Sequence, residues 1–236
     1  MVVTWKDEDA VQHFVGNRRH LPCFDWLFDA AVALVRDVGH RPGNIVDLGC
    51  GSGVTGGAMR VLWPEARLTL VDNSPAMLEL ARRDYGDAPG VRIIDADLGV
   101  PGTMERVSHE PVDVVVSSAA IHHLPRSRQH ELYGEILDAL EPGGVFVNIE
   151  HTASCSDRTE RIWWEWLYAK VLESRRAQGD PVSLDAIRRE FEARQEINIL
   201  TPVSEQADWL RQIGFVDVDC VFKVFEMAVF GGYKPG

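Results

Sequence analysis

The feature that most constrains the fold of this chain is a regular alternation of short β-rich runs with helical patterns. The β-rich runs predict strands at 44–48, 67–72, 91–95, 112–117 and 145–150. Alternation of this kind is typical of βαβ units, in which a helix connects two parallel strands. The sequence therefore predicts an α/β fold built on a mainly parallel sheet.

Helix signals stand between these predicted strands. Ser74 followed by Pro75 has the pattern of an N-cap with proline at the first helical position. A further helix is predicted over 131–140, and the stretch 141–144 (EPGG) is predicted to end it before the fifth strand.

The last third of the chain departs from the alternation. A long helix is predicted to begin at Ile162 and a second to cover 184–194, with 179–183 as the break between them. We expect 151–201 to be a helical insertion that covers a substrate pocket.

The C-terminal part returns to the sheet. A helix is predicted to end at Gly214, and strands are predicted at 215–223 and 225–233. Because only a short turn separates these two strands, the last strand is expected to run antiparallel to its neighbours.

Composition limits the partners and the compartment. The net charge of −12 argues against a nucleic-acid substrate, because phosphate binding needs a positive surface. The start of the chain lacks the pattern of a signal peptide, and no apolar run approaches about 18 residues, so a cytoplasmic protein without membrane association is predicted. The four cysteines lack zinc spacing, and no metal is predicted: Cys23, Cys50, Cys155 and Cys220.

A glycine-rich loop follows the first predicted strand. The segment 47–53 (DLGCGSG) lies where a strand turns into a helix, and its glycines let the backbone approach a ligand at a helix N-terminus. The same region contains a dinucleotide pattern, GxGxxG over 51–56, with Asp72 following about 20 residues later. The loop alone therefore leaves two cofactor classes open.

Acidic residues at successive strand ends favour one of the two. Asp47 would face a pyrophosphate unfavourably, whereas it suits a cofactor that carries an ammonium group. Asp72 ends the second strand, where a ribose diol could be held, and Asp97 follows the third, where it could accept from an adenine amine. These three carboxylates are expected to converge on one crevice.

With these motifs the chain resembles the class I S-adenosylmethionine-dependent methyltransferases. The resemblance covers about 44–149 and 209–236, with 46–53 as the family's first motif and 142–144 before the fifth strand. It implies S-adenosyl-L-methionine as cofactor and a Rossmann-like, seven-stranded, mainly parallel sheet with an antiparallel last strand and a helical insertion before the sixth strand. The whole chain, 1–236, would be a single domain.

The resemblance also assigns cofactor contacts position by position. The residues concerned are Asp47, Gly49 and Gly51 around the methionine part, Asp72 at the ribose, Asn73 and Met77 beside the adenosine, and Asp97 and Leu98 at the adenine. Gly53 in the loop and Ser118 after the fourth strand are further candidate cofactor-binding residues.

Two adjacent histidines are the candidate catalytic residues. His122 and His123 follow the fourth strand, at the sheet edge where open α/β folds bind ligands. Methyl transfer needs alignment and, where the acceptor must lose a proton, a base, which histidine supplies near neutral pH. Glu150 ends the fifth strand, and in the small-molecule methyltransferases that the chain resembles an acidic residue here can orient such a histidine. A dyad of His122 or His123 with Glu150 is predicted, with helix capping and packing as the open alternative.

Aromatic residues mark the insertion. Trp163 and Trp166, with Val171, fit a buried stripe, while Trp164 and Tyr168 form an i,i+4 pair that either lines a pocket or packs in the core. A pocket lined in this way would suit a flat or largely apolar acceptor. His151 is a further candidate substrate contact.

The N-terminal stretch is predicted to form a helical lid over 1–40. Phe14 and Arg18 are candidate substrate contacts, and Arg19 is a candidate partner of the cofactor carboxylate, although both arginines also fit a surface helix. The segments 14–24 and 225–234 are similar to the carboxy-S-adenosylmethionine synthase group.

Two positions depart from the pattern of that group. Phe24 stands where the group has a cofactor-binding tyrosine, and Glu192 falls about where it has a carboxylate-binding arginine. Ordinary S-adenosylmethionine and a methylated product are therefore expected.

The sequence thus predicts an enzyme that methylates an oxygen, nitrogen or carbon atom of a small molecule. A nicotinamide-dependent oxidoreductase is an alternative that rests only on 51–56. A second alternative is a non-catalytic cofactor-binding subunit that partners another methyltransferase. A homodimer is compatible with the sequence, and the acceptor is not encoded by any motif.

Overall fold

The computed structural model describes residues 23–38, 42–195 and 197–236, which form a seven-stranded sheet. The spatial order is β3-β2-β1-β4-β5-β7-β6. The strands are β1 (Asn44–Leu48), β2 (Arg67–Asp72), β3 (Val91–Asp95), β4 (Val112–Ser118), β5 (Leu140–His151), β6 (Val216–Val224) and β7 (Met227–Tyr233). Only β7 runs antiparallel to its neighbours, β5 and β6, which confirms the predicted topology.

Eight α-helices in the described ranges surround or extend this sheet. They are α1 (Phe24–Arg36), α2 (Val54–Leu62), α3 (Pro75–Tyr85), α4 (Thr103–Val107), α5 (Arg126–Ala139), α6 (Asp157–Ala177), α7 (Leu184–Gln195) and α8 (Val203–Ile213). A 3₁₀ turn, Ile121–His123, lies between β4 and α5.

The core has two layers, one on each face of the sheet. Apolar residues of α1, α2 and α3 pack with Ile45 and Val114 on one face. Those of α4, α5 and α8 pack with Val46 and Val115 on the other. Neighbouring strand residues therefore serve opposite layers, as the pleat of a buried strand requires.

The strand order changes direction at β1, and this position creates the crevice. β1 pairs in parallel with β2 on one side and with β4 on the other. The connections after these strands leave the sheet in opposite directions, and the carboxyl ends of β1, β2 and β4 therefore border an open space.

The predicted boundaries around α5 and β5 were wrong. α5 begins at Arg126 rather than 131, because Pro125 at its N-cap is followed by a polar first turn that apolar periodicity does not detect. The stretch 141–144 belongs to β5 rather than to a turn. Its pairing continues through hydrogen bonds from Gly143 N to Lys234 O and from Lys234 N to Gly144 O.

The insertion is a helical hairpin with its own small core. α6 begins after Ser156, whose Oγ accepts from the Thr159 N–H, five residues before the predicted start at Ile162. Trp163, buried as predicted, forms the centre of an apolar cluster shared by α6 and α7. No helix within the described ranges is long and apolar enough to cross a membrane.

The predicted lid 1–40 is described only in part, since 1–22, 39 and 40 lie outside the described residues. Its described part is α1, where Leu27, Ala31 and Val35 are fully buried against the sheet. This helix is therefore part of the core layer on one face of the sheet.

Candidate functional site

The glycine loop follows β1 and forms one wall of the crevice. Gly49 has a φ of +66°, and a Cβ placed on it would lie 2.2 Å from the Cβ of Ala120. The loop therefore approaches the segment after β4 so closely that only glycine fits at this position.

Asp47 and Gly53 support the loop from behind. The Asp47 side chain is fully buried, and its Oδ2 accepts from the Gly56 N–H at 2.7 Å. Gly53 is the N-cap residue of α2, next to Tyr85. The structure places neither residue on the cavity wall, and the expected contact of Asp47 with the cofactor's ammonium group stays a prediction.

Asp72 links the end of β2 to the glycine loop. Its Oδ2 accepts from the Gly51 N–H and its Oδ1 from the Ser74 N–H, both at 2.8 Å. Burial raises the pKa of Asp72, and the nearby charge of Asp95 adds to this effect. The carboxylate is thus held in place by backbone donors at the edge of the crevice.

The crevice encloses a cavity of about 290 Å³ that brings together most of the residues predicted at the cofactor. Predicted residues on its wall are Gly49, Gly51, Asp72, Asn73, Met77, Asp97, Leu98, Ser118 and His123. Sequence reasoning missed Cys50, Ser52, Val54, Thr55, Ser74, Ala96, Ala119, Ala120 and Leu124. Most of these residues directly precede or follow a predicted residue in the sequence, and they could have been predicted from that position.

Glu150 and His122 form a buried pair beside the cavity. Glu150 is fully buried, and its Oε1 lies 2.5 Å from His122 Nδ1. The carboxylate also accepts from the backbone N–H groups of His122 (3.2 Å) and His151 (2.8 Å) and from the side-chain amide of Asn148 (3.4 Å). With Nδ1 donating to Glu150, the second ring nitrogen, Nε2, carries the lone pair.

His123 lies on the cavity wall and has a different environment. Its Nδ1 is 3.3 Å from the carbonyl oxygen of Ile197, at the end of the insertion. Burial lowers the pKa of His123 to about 3, with further lowering from His122 and His151. His123 is therefore neutral at physiological pH and a weak proton acceptor, and the geometry favours His122 as the member of the dyad.

This lowered pKa predicts an acid-sensitive contribution to stability. Between the ordinary pKa of 6.5 and about 3, the unfolded chain protonates His123 and the folded protein does not. Acid therefore favours unfolding, by about 1 kcal/mol for each pH unit in this window. We expect His123→Gln to lose less stability than the wild type between pH 7 and pH 4. Urea unfolding at both pH values measures this, and equal losses in the two proteins would contradict it.

The predicted substrate residues of the insertion lie outside this cavity, in a series of ring contacts. The His122 ring is 5.7 Å from the His151 ring, which is 6.1 Å from Trp164, and Trp164 stacks on Tyr168 at 5.7 Å. Tyr168 is buried and belongs to the core of the hairpin. Trp164 is partly exposed and lies nearer to the histidines.

A second histidine–glutamate pair went unnoticed in the sequence. His151 Nε2 lies 2.9 Å from Oε2 of Glu226, which is almost fully buried in the turn between β6 and β7. No spacing pattern connects two residues 75 positions apart, so only the antiparallel pairing of β5 with β7 brings them together.

Some expectations cannot be placed in the fold. Phe14, Arg18 and Arg19 lie outside the described residues. Of the two departures from the carboxy-S-adenosylmethionine synthase pattern, Phe24 begins α1 and Glu192 is exposed on α7.

Comparison with protein families places residues 45–144 in a methyltransferase domain family. Trans-aconitate 2-methyltransferase from Streptomyces coelicolor is 33% identical over 142 residues, which are 60% of this chain and 43% of that protein. Carboxy-S-adenosyl-L-methionine synthase from Chromohalobacter salexigens is 28% identical over 242 residues, with 96% of this chain and 85% of that protein covered. The chain thus spans less than half of the first relative and most of the second.

Solved structures share the fold. An O-methyltransferase family protein from Burkholderia thailandensis matches with a TM-score of 0.66 and 14% identity, over 97% of this chain and 60% of that one. Human N-acetylserotonin methyltransferase in complex with SAM matches with a TM-score of 0.57 and 14% identity, over 98% and 58%. These structures show the fold, and the match of residues 45–144 to a methyltransferase domain family favours the methyl-transfer interpretation of the glycine loop over the dinucleotide one.

Proposed function

We propose that this chain, which belongs to the class I S-adenosylmethionine-dependent methyltransferases, methylates a small molecule with His122 as general base. The observation that carries the proposal is the Glu150–His122 pair, which lies next to a cavity lined by the cofactor motif. The nicotinamide-dependent oxidoreductase is supported only by the glycine pattern of 51–56, and among the described residues we find no feature that favours a non-catalytic subunit.

The residues of the cavity fit the cofactor. Gly49 lets the glycine loop approach Ala120 closely, and the carboxylate of Asp72 lines the cavity beside this loop. We assign Asp72 to the ribose hydroxyls, Leu98 and Met77 to the adenine faces, and Asp97, which is exposed at the rim, to the adenine amine. Gly49 and Gly51 would surround the methionine part.

The protein's contribution to the reaction is alignment and proton removal. When bound, the cofactor supplies a methyl group on a sulfonium, which is a good leaving group. Glu150 fixes the His122 ring and would stabilise its positive charge after His122 accepts a proton from the acceptor. His123, neutral on the cavity wall, shapes the site between cofactor and acceptor.

The acceptor would lie between the histidines and the insertion. The rings of Trp164 and His151 would contact the acceptor there, and the buried carboxylate of Glu226 orients His151. This wall favours a flat, largely apolar acceptor that also carries an ionisable group. Glu192, where the carboxy-S-adenosylmethionine synthase group has an arginine, supports ordinary S-adenosylmethionine and a methylated product.

Calorimetry tests the cofactor assignment. We expect the wild type to bind S-adenosylmethionine and S-adenosylhomocysteine but not NAD. Asp72→Asn should weaken both by about 10- to 100-fold, because hydrogen bonds to a charged group are worth about 1.5–3 kcal/mol. Asp84→Asn, an exposed change on α3, is the matched control. Binding of NAD alone would overturn the proposal.

Methyl incorporation tests the acceptor class. Metabolite extracts are incubated with the enzyme and isotopically labelled S-adenosylmethionine, and we expect label in a small organic product. Label found only in protein or nucleic acid would contradict a small-molecule acceptor.

A further inference from the structure

Two consecutive residues of α5, Arg128 and Gln129, are buried and extend to opposite sides of the candidate site. We propose that Arg128 positions the adenine side of the cofactor site and that Gln129 positions the histidine turn. Neither residue lines the cavity, so both would act through the segments they hold. The inference rests on the proposed function, since it takes the loop after β3 as the adenine side.

Arg128 holds the loop that follows β3. Its Nε donates to the carbonyl oxygen of Leu98 at 2.8 Å, and its Nη2 donates to that of Val100 at 3.3 Å. The side chain is only 6% exposed, so these bonds form away from water. Because Leu98 lines the cavity, the position of its backbone sets the shape of that wall.

Glu135, two turns further along α5, completes the support. Its Oε1 accepts from Arg128 Nη1 at 2.6 Å and from the Gly102 N–H at 2.8 Å, and its Oε2 accepts from the Met104 N–H at 3.2 Å. Burial alone would raise the pKa of Glu135, but these hydrogen bonds lower it below its ordinary value. The charged pair thus fixes both ends of the loop between Leu98 and α4.

Gln129 acts on the other side of α5. Its Nε2 donates to the carbonyl oxygens of Leu124 and Ile199, both at 2.9 Å, and its Oε1 accepts from the Thr201 hydroxyl at 3.0 Å. These three partners lie in two segments. Leu124 follows the histidine turn, and Ile199 and Thr201 are at the end of the insertion.

The end of the insertion in turn holds both histidines. The Ile199 N–H donates to the carbonyl oxygen of His122 at 2.8 Å, and the carbonyl oxygen of Ile197 lies 3.3 Å from His123 Nδ1. Gln129 therefore fixes the segment that binds the backbone of His122 and the ring of His123. Neighbouring residues on one rigid helix serve the cofactor and the histidines separately, which predicts that their effects can be separated.

Two variants with two measurements test this separation. Arg128→Gln should raise the Kd for S-adenosylhomocysteine, measured by calorimetry, about 10-fold or more, because it removes charged hydrogen bonds behind the adenine wall. It should leave the titration of the His123 ring, followed by NMR of ¹⁵N-labelled histidine, unchanged. Gln129→Met, similar in volume but without hydrogen bonds, should move the His123 pKa toward its ordinary value and change that Kd less than about two-fold.

Three further proteins make the result interpretable. Arg128→Lys keeps a positive charge and is expected to weaken binding less than Arg128→Gln, which guards against a variant that fails to fold. Arg126→Gln removes a partly exposed arginine of the same helix, paired with Glu205, and should change neither measurement. If the wild type binds no S-adenosylhomocysteine, the proposed function and this inference both fall.

If the wild type binds the nucleoside and Arg128→Gln binds it equally well, the inference alone is overturned. The same holds if Arg128→Gln and Gln129→Met change both measurements together, since that pattern would indicate a general loss of structure.

Discussion

Replacing His122 by alanine is expected to slow turnover about 10²-fold or more, the usual contribution of a general base. The affinity for S-adenosylmethionine should change little, because His122 does not line the cofactor cavity. Glu150→Gln should slow turnover as well, since the neutral amide cannot stabilise the positive charge on His122. Steady-state rates with the acceptor from the labelling experiment, together with calorimetric titrations of the cofactor, measure both effects.

Two other histidines serve as references for this experiment. His123→Gln should slow turnover less than His122→Ala, because His123 is neutral and a weak base. His109→Ala, an exposed change in the segment before β4, whose other end borders the site, should leave turnover and affinity unchanged. If His122→Ala and His123→Gln both turn over at the wild-type rate, both histidines have structural roles and the acceptor needs no base from them.

The local signals of the sequence were enough for the parallel part of the fold. β1, β2 and β3 begin and end where their patterns predicted, and Ser74 caps α3 through its hydroxyl, which accepts from the Met77 N–H. These features depend on neighbours in sequence, namely alternation along a strand and a cap within one turn. The site residues that follow the strand ends were predictable for the same reason.

Apart from the Glu150–His122 pair, which the resemblance led us to expect, contacts between distant segments were not predictable. Glu226 meets His151 only because β7 pairs with β5, and Arg128 meets Leu98 only because α5 packs beside the loop after β3. Asp47 shows the converse, since its type suggested a ligand contact while its carboxylate binds a backbone N–H of α2. A sequence motif identifies which residues lie near a site, and the packing decides which of their atoms reach it.

Gly49→Ala is the substitution with the largest expected effect on cofactor binding. The added Cβ would lie 2.2 Å from the Cβ of Ala120, and the φ of +66° is already unfavourable for any other residue. The loop must therefore move away from the segment after β4, which changes the cavity that both segments line. We expect the Kd for S-adenosylhomocysteine to rise about 10²-fold or more, as sub-ångström displacements at a preorganised site can cause.

Two companion variants separate steric overlap from backbone strain. Gly143→Ala introduces a Cβ at a similar φ of +79° where no atom lies within 4 Å, so it should cost about 1–2 kcal/mol of stability and leave binding unchanged. Ala120→Gly removes the atom that the new Cβ would meet, so the double variant Gly49→Ala, Ala120→Gly should regain most of the lost affinity. If Gly49→Ala binds as the wild type does, the close approach of the two segments does not shape the cofactor site. If the double variant binds no better than Gly49→Ala, strain in the loop rather than overlap with Ala120 explains the loss.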